Sequence, residues 1–137
     1  MKTVVCVWWG DKFSVDYVYN LKAMVERYTT VPFRFVCYSD KNIPGIETKR
    51  LKPGIEGWWN KLQMFDPAMK VGDYVLYFDL DTIITGKIDW LMNYDTWFMG
   101  IEDVGAVKIY ILDLRIKMFQ LYASTADRVL CKQWIIL

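Results

Sequence analysis

The chain has 137 residues, 54% of them hydrophobic, and a formal net charge of +1. That is one domain's worth of chain with a core of its own, so neither a disulfide framework nor a structural metal is needed to fold it. It contains no histidine, which excludes Ser-His-Asp triads, Cys-His pairs, histidine zinc sites and an imidazole base built from this chain alone; near-neutral charge argues against a generic nucleic-acid binder.

Thr3 to Trp9 is a continuous valine-rich run, the pattern of a strand covered on both faces. Gly10-Asp11-Lys12 breaks it, and Ser14 is placed to cap a helix with Asp16 in its first turn. Val15, Val18, Leu21, Val25 and Tyr28 recur at helical spacing, and the helix is expected to stop near Thr29-Thr30, ahead of Pro32. Phe33 to Tyr38 reads as a second strand ending at Ser39-Asp40, which completes a βαβ unit. Residues 41–57 hold Pro44, Gly45, Pro53, Gly54 and Gly57 and read as loop, with a short strand near Lys49 to Leu51.

Trp58 to Phe65 has Trp58, Leu62 and Phe65 on one helical face and is ended by Pro67. After the Gly72-Asp73 turn, Tyr74 to Phe78 is a fully apolar strand suited to the sheet centre. Ile88 to Asn93 reads as a short helix and Thr96 to Ile101 as a further strand. Beyond Gly105 the composition changes: all 8 glycines and 4 prolines lie at or before it, and residues 106–137 carry a net +3. Val107 to Ile111 alternates like a strand, while Leu112, Ile116 and Phe119 also fit a helix face. The fold class expected is α/β, with a mostly parallel central sheet and helices on both faces.

Cys6 and Cys37 lie in apolar runs and read as small core residues, and with Cys131 they form no Cys-x-x-Cys pair. This usage fits a reducing, cytoplasmic setting. The N-terminus lacks the pattern of a signal peptide, and no apolar stretch has the length of a transmembrane segment.

The chemistry concentrates at Tyr77-Phe78-Asp79-Leu80-Asp81-Thr82. Ligands of open α/β sheets bind beyond the carboxyl ends of the strands. Two carboxylates one residue apart point the same way in an extended segment. Such a pair invites a divalent cation, Mg²⁺ or Mn²⁺ by ligand type, able in turn to hold a diphosphate. The plainer alternative is a pair of ordinary turn acids at a strand end.

The segments VVCVWWGD (4–11), FVCYSD (35–40), GWWNKLQMF (57–65) and VLYFDLDTIITGKIDWL (75–91) resemble, in order and spacing, the nucleotide-sugar glycosyltransferases of the GT-A fold. The likeness is to bacterial and phage-type members with an Asp-x-Asp motif, and it covers about residues 3–104. It implies a Rossmann-like nucleotide-sugar-binding domain over residues 1–105. The remaining 106–137 then form an atypical tail in place of the acceptor-binding half, as expected of a truncated or frame-shifted product. The acceptor half of such enzymes is also where the catalytic carboxylate or amide lies, so no catalytic residue is assigned.

The resemblance further implies metal binding by Asp81, with Asp79 on the metal or the donor ribose, and Leu80 between them at the nucleotide. Trp8, Trp9, Gly10 and Asp11 match the loop that holds base and ribose. One tryptophan stacks on the base in this reading; in the other, both are core. Lys61 matches a basic residue facing the donor phosphates, or is a solvated helix lysine. Asp40 falls near nucleotide contacts, or caps a loop. Glu102-Asp103 line the cleft, or form an exposed turn.

The activity implied is metal-dependent transfer from a nucleotide sugar, with UDP-sugar as the donor class, to an unidentified sugar, lipid or protein acceptor. Two alternatives stand beside it. One is an inactive donor-binding or interaction domain. The other is a haloacid-dehalogenase-type phosphatase, whose Asp-x-Asp-Gly-Thr pattern differs here because Thr82 directly follows Asp81.

Overall fold

The computed structural model describes residues 1–94 in full and the backbone of the strands at Phe98–Asp103 and Ala106–Asp113. Six strands form one sheet: β1 (Lys2–Trp8), β2 (Phe33–Ser39), β3 (Glu47–Arg50), β4 (Tyr74–Phe78), β5 (Phe98–Asp103) and β6 (Ala106–Asp113). Their order is β3-β2-β1-β4-β6-β5. The first four are mutually parallel, and β6 runs antiparallel to both β4 and β5. Two α-helices, α1 (Asp16–Tyr28) and α2 (Asp89–Met92), and two 3₁₀ helices, Gly57–Phe65 and Pro67–Met69, complete the described chain.

The continuous apolar runs of β1 and β4 arise because both strands are covered on both faces. Side chains alternate, so Val4, Cys6 and Trp8 of β1 go to one side and Val5 and Val7 to the other. On the first side, α1 buries Val18, Leu21 and Val25, and α2 buries Leu91 and Met92. Each such apolar side chain contributes about 1.5–3 kcal/mol when fully buried. On the second side, Val36, Tyr38, Val75 and Tyr77 pack under Met64 and Met69 of the 3₁₀ helices. The expected layering, helices on both faces of a mostly parallel sheet, is thus the observed one. Cys6 and Cys37 are buried and paired across β1 and β2; Cys131 lies outside the described residues.

Both ends of α1 meet expectation, and two strands do so with shifted bounds. Ser14 Oγ accepts the Asp16 N–H at 3.3 Å at the start of α1, and α1 ends at Tyr28 with Thr29 extended. The strand expected near Lys49 to Leu51 is Glu47–Arg50, and that expected at Thr96 to Ile101 is Phe98–Asp103. Val107 to Ile111 lies within β6; the strand-or-helix question beyond Asp113 lies outside the described residues.

The segment 58–65 departs from its expected form. It is a 3₁₀ helix, and of its expected apolar face only Phe65 packs against the core, while Trp58 is 62% and Leu62 44% exposed. Asn60 and Gln63 are buried instead. Asn60 Nδ2 donates to the Gly57 carbonyl at 3.1 Å, Gln63 Nε2 donates to Asn60 Oδ1 at 2.9 Å, and the Lys52 N–H donates to Gln63 Oε1 at 2.7 Å. Amides satisfied in this way can be buried without a desolvation loss. Here they stitch the loop at Lys52 to the 3₁₀ helix.

Candidate functional site

Because β1, β2 and β4 are parallel, their carboxyl ends open on one edge of the sheet. β1 delivers Trp9, Gly10 and Asp11 there, β2 delivers Asp40 and Lys41, and β4 delivers Asp79 to Asp81. β5 runs in the same direction as β4, which brings the backbone of Glu102-Asp103 to this edge too.

A cavity of about 380 Å³ lies at the edge. Trp9 and Lys12 border it from the β1 loop, Gly57, Trp58 and Lys61 from the 3₁₀ helix, and Tyr77, Asp79, Leu80 and Asp81 from β4 and its turn. The two carboxylates therefore share one cavity. Their geometry differs from the extended segment expected: the Thr82 N–H donates to the Asp79 carbonyl at 3.0 Å, which makes 79–82 a turn. The chain has left the sheet after Phe78, so no neighbouring strand holds it extended. Asp81 is exposed, whereas Asp79 retains only 16% side-chain exposure.

Asp79 is the most engaged member of the site. Lys61 Nζ forms an ion pair with its Oδ1. The Tyr77 hydroxyl donates to the same oxygen at 2.6 Å, and Lys61 Nζ lies 5.6 Å from the Tyr77 ring centroid. Tyr77 was not singled out by motif. Its signal was the two-residue spacing to Asp79, which puts both on one side of the chain as it leaves β4.

The tryptophans divide. Trp8 is 8% exposed, packs in the core, and spends its indole N–H on the Phe13 carbonyl at 2.9 Å. Trp9 is 39% exposed and borders the cavity. Of the two rings expected as a stacking surface, only that of Trp9 reaches the cavity. Trp58 adds a second indole at the rim, stacked on Trp59 with ring centroids 3.8 Å apart.

Gly10, Asp11 and Asp40 form a separate patch along the same edge. Gly10 has φ +62°, a conformation that glycine adopts without strain. Its N–H donates to Asp40 Oδ2 at 3.4 Å, while Asp40 Oδ1 is buried without a protein partner. Lys41 Nζ donates to Asp11 Oδ1 at 2.6 Å and to the Gly10 carbonyl at 3.1 Å. That hydrogen bond and the lysine's charge hold the Asp11 carboxyl below the usual range. Asp11 is thus an exposed ion-pair partner, and neither it nor Asp40 borders the cavity.

The donor set at Asp79 and Asp81 is two hard oxygen ligands in one cavity. Among the described residues, no group of three or more acidic or cysteine side chains stands close enough to hold an ion by itself. Mg²⁺ and Mn²⁺ are characteristically held by one or two carboxylates together with substrate phosphates. The pair fits that mode. Asp79 already accepts a cation, the Lys61 ammonium.

No family model matches the chain, and no curated protein matches it. Solved structures do. It is similar to the galactosyltransferase LgtC in complex with donor and acceptor sugar analogs, with a TM-score of 0.63 and 14% identity over 88% of this chain. An active-site mutant of LgtC matches with a TM-score of 0.64 over 96% of the chain, again at 14% identity. The apo-form glycosyltransferase GlyE of Streptococcus pneumoniae TIGR4 matches with a TM-score of 0.54 and 16% identity over 93%. The chain spans 62% of the length of LgtC and 40% of that of GlyE. Its fold is the Rossmann-like, GT-A-like α/β fold of these glycosyltransferases. Among the described residues no helix is long and apolar enough to cross a membrane.

Proposed function

We propose that the chain is the donor-binding part of a glycosyltransferase that takes a nucleotide sugar, UDP-sugar by resemblance, and passes the sugar to a sugar, lipid or protein acceptor. The observation that carries this reading is the meeting of Lys61, Asp79 and Asp81 in one cavity at the carboxyl end of β4. A sugar nucleotide presents a base, a ribose and a doubly charged diphosphate in series. The edge presents the Trp9 ring in one cavity with the lysine and paired carboxylates, and the Gly10 backbone with Asp40 as a separate patch beside it.

In this reading Asp79 and Asp81 hold Mn²⁺ or Mg²⁺. When bound, such an ion neutralises the departing nucleoside diphosphate as a Lewis acid, chemistry that needs no histidine. Lys61 adds a second positive charge toward the same phosphates. Trp9 and Leu80 exclude water from one wall. The neighbours' glycosyltransferase fold supports sugar transfer in general.

The test is calorimetric titration of the chain with UDP in Mn²⁺ and in EDTA, followed by incubation with UDP-sugars. Binding that depends on Mn²⁺ is the expected result. Asp81→Ala should weaken the metal-dependent part by at least about tenfold. Absence of UDP binding in both conditions overturns the reading. Binding without release or transfer of the sugar restricts it to donor capture.

A further inference from the structure

The carboxylate that the proposed function offers to a divalent cation is already occupied by an internal one. Lys61 Nζ and the Tyr77 hydroxyl both donate to Asp79 Oδ1. With side-chain exposures of 28% and 16%, this ion pair is far more sheltered than the Lys41–Asp11 pair on the same edge, at 44% and 94%. Shelter weakens screening and makes an unpartnered charge costly, so Asp79 is not readily left without a cation. Two cations on one carboxylate repel each other, so a divalent ion and the lysine cannot share the site comfortably.

The two partners differ in freedom. Asp79 directly follows Tyr77 and Phe78, which are buried in the sheet, and its carbonyl anchors the 79–82 turn. Lys61 stands on a 3₁₀ helix and reaches the cavity through a flexible four-carbon stem. It is the lysine that can move.

We infer that Lys61 is an exchangeable internal cation: it neutralises Asp79 in the ligand-free chain and transfers to the donor's diphosphate when a divalent cation takes the carboxylate. The inference rests on the nucleotide-sugar reading of the site and adds an order of events to it. A divalent cation arriving alone must displace Lys61 into water and gains little. Arriving with a nucleoside diphosphate, it displaces Lys61 onto a new anionic partner. The two ligands are therefore positively coupled, and by linkage each tightens the other by the same factor. Lys61 is in this sense a positioning residue.

The experiment measures Mn²⁺ affinity without nucleotide, and UDP affinity with and without Mn²⁺, for the 137-residue chain and its variants. Lys61→Met should bind Mn²⁺ alone about tenfold more tightly than the parent, and the factor by which Mn²⁺ tightens UDP should shrink by a similar amount. Lys61→Gln serves as a second variant, with folding checked by circular dichroism. Lys22→Met removes the same charge from α1, away from the cavity and from Asp79, and should leave the coupling factor unchanged. Equal or weaker Mn²⁺ binding by both Lys61 variants overturns the exchange while leaving the nucleotide site standing. So does an equal gain in Lys22→Met, which would reduce the effect to net charge. A parent chain with no Mn²⁺-dependent UDP binding removes the functional reading itself, and the exchange with it.

Discussion

Gln63 shows how a single side chain overrules a periodic pattern. Its amide accepts from the Lys52 N–H at 2.7 Å and donates to the Lys52 carbonyl at 3.2 Å and to Asn60 Oδ1 at 2.9 Å. Gln63→Leu would keep roughly the same volume but strand the Lys52 amide and the Asn60 carbonyl oxygen. The expected loss is about 1–3 kcal/mol, the desolvation cost of buried polar groups left unpaired. Urea denaturation of the two chains measures it; equal midpoints would show that these amides contribute nothing net. An amphipathic reading of 58–65 assumes that amides face water and tryptophans face the core. Nothing local in the sequence says that Gln63 finds its partner at Lys52, 11 residues earlier, and then satisfies Asn60 in turn, so this inversion was invisible until the chain was folded. Trp8 and Trp9 posed the same problem. Both sit at the end of an apolar run, and only the closing of the Phe13 carbonyl onto the Trp8 indole separates core from cavity wall.

Between elements, one carboxylate fastens α1 to α2 beside the Ile88 N–H, which donates to the Tyr28 carbonyl at 2.9 Å. Asp89 accepts from the Thr29 hydroxyl at 2.6 Å, the Thr30 N–H at 2.7 Å and the Thr30 hydroxyl at 2.9 Å. These bonds tie the start of α2 to the end of α1, and they hold the Asp89 carboxyl below its usual range, led by the Thr29 hydroxyl. A carboxylate whose pKa is lowered on folding adds stability above its unfolded pKa, and that stability fades as pH falls through the folded value. Asp89→Asn should therefore be less stable than the parent at neutral pH, and the gap should close below the ordinary aspartate pKa of about 3.9. Denaturation midpoints taken across acid pH test this. A gap independent of pH would place the effect in packing. The elements themselves were largely readable in advance. β1, α1, β2, β4 and α2 follow from apolar runs, helical spacing and the breakers Gly10, Pro32 and Gly72, all of which act within a few residues. The turn at 79–82 was not, because whether a strand continues depends on a neighbouring strand to pair with.

Across the whole chain, strand order turns scattered segments into one edge. β1, β2 and β4 are far apart in sequence, yet their ends converge because β1 lies between the other two and all three run in parallel. Ligand binding at that edge should stabilise the entire domain. With Mn²⁺ saturating, UDP at about a hundred times its dissociation constant should raise the unfolding free energy by about 2.7 kcal/mol over Mn²⁺ alone. A thermal-unfolding midpoint that rises with both ligands by more than the sum of the rises with each alone checks the coupling inferred for Lys61. A midpoint indifferent to the pair would contradict it.

The absence of histidine and the acids at 79 and 81 were plain from the residues alone, and they directed attention to carboxylate chemistry. Strand and helix periodicity, core cysteines and the α/β class were equally plain, because each depends on local pattern and on which side chains water rejects. Folding alone decided that Trp9 rather than Trp8 meets the cavity, that Asn60 and Gln63 go inside, and that Tyr77 and Lys61 converge on Asp79. Those outcomes depend on contacts between segments distant in sequence, where position is set by packing and by the partners available for each polar group.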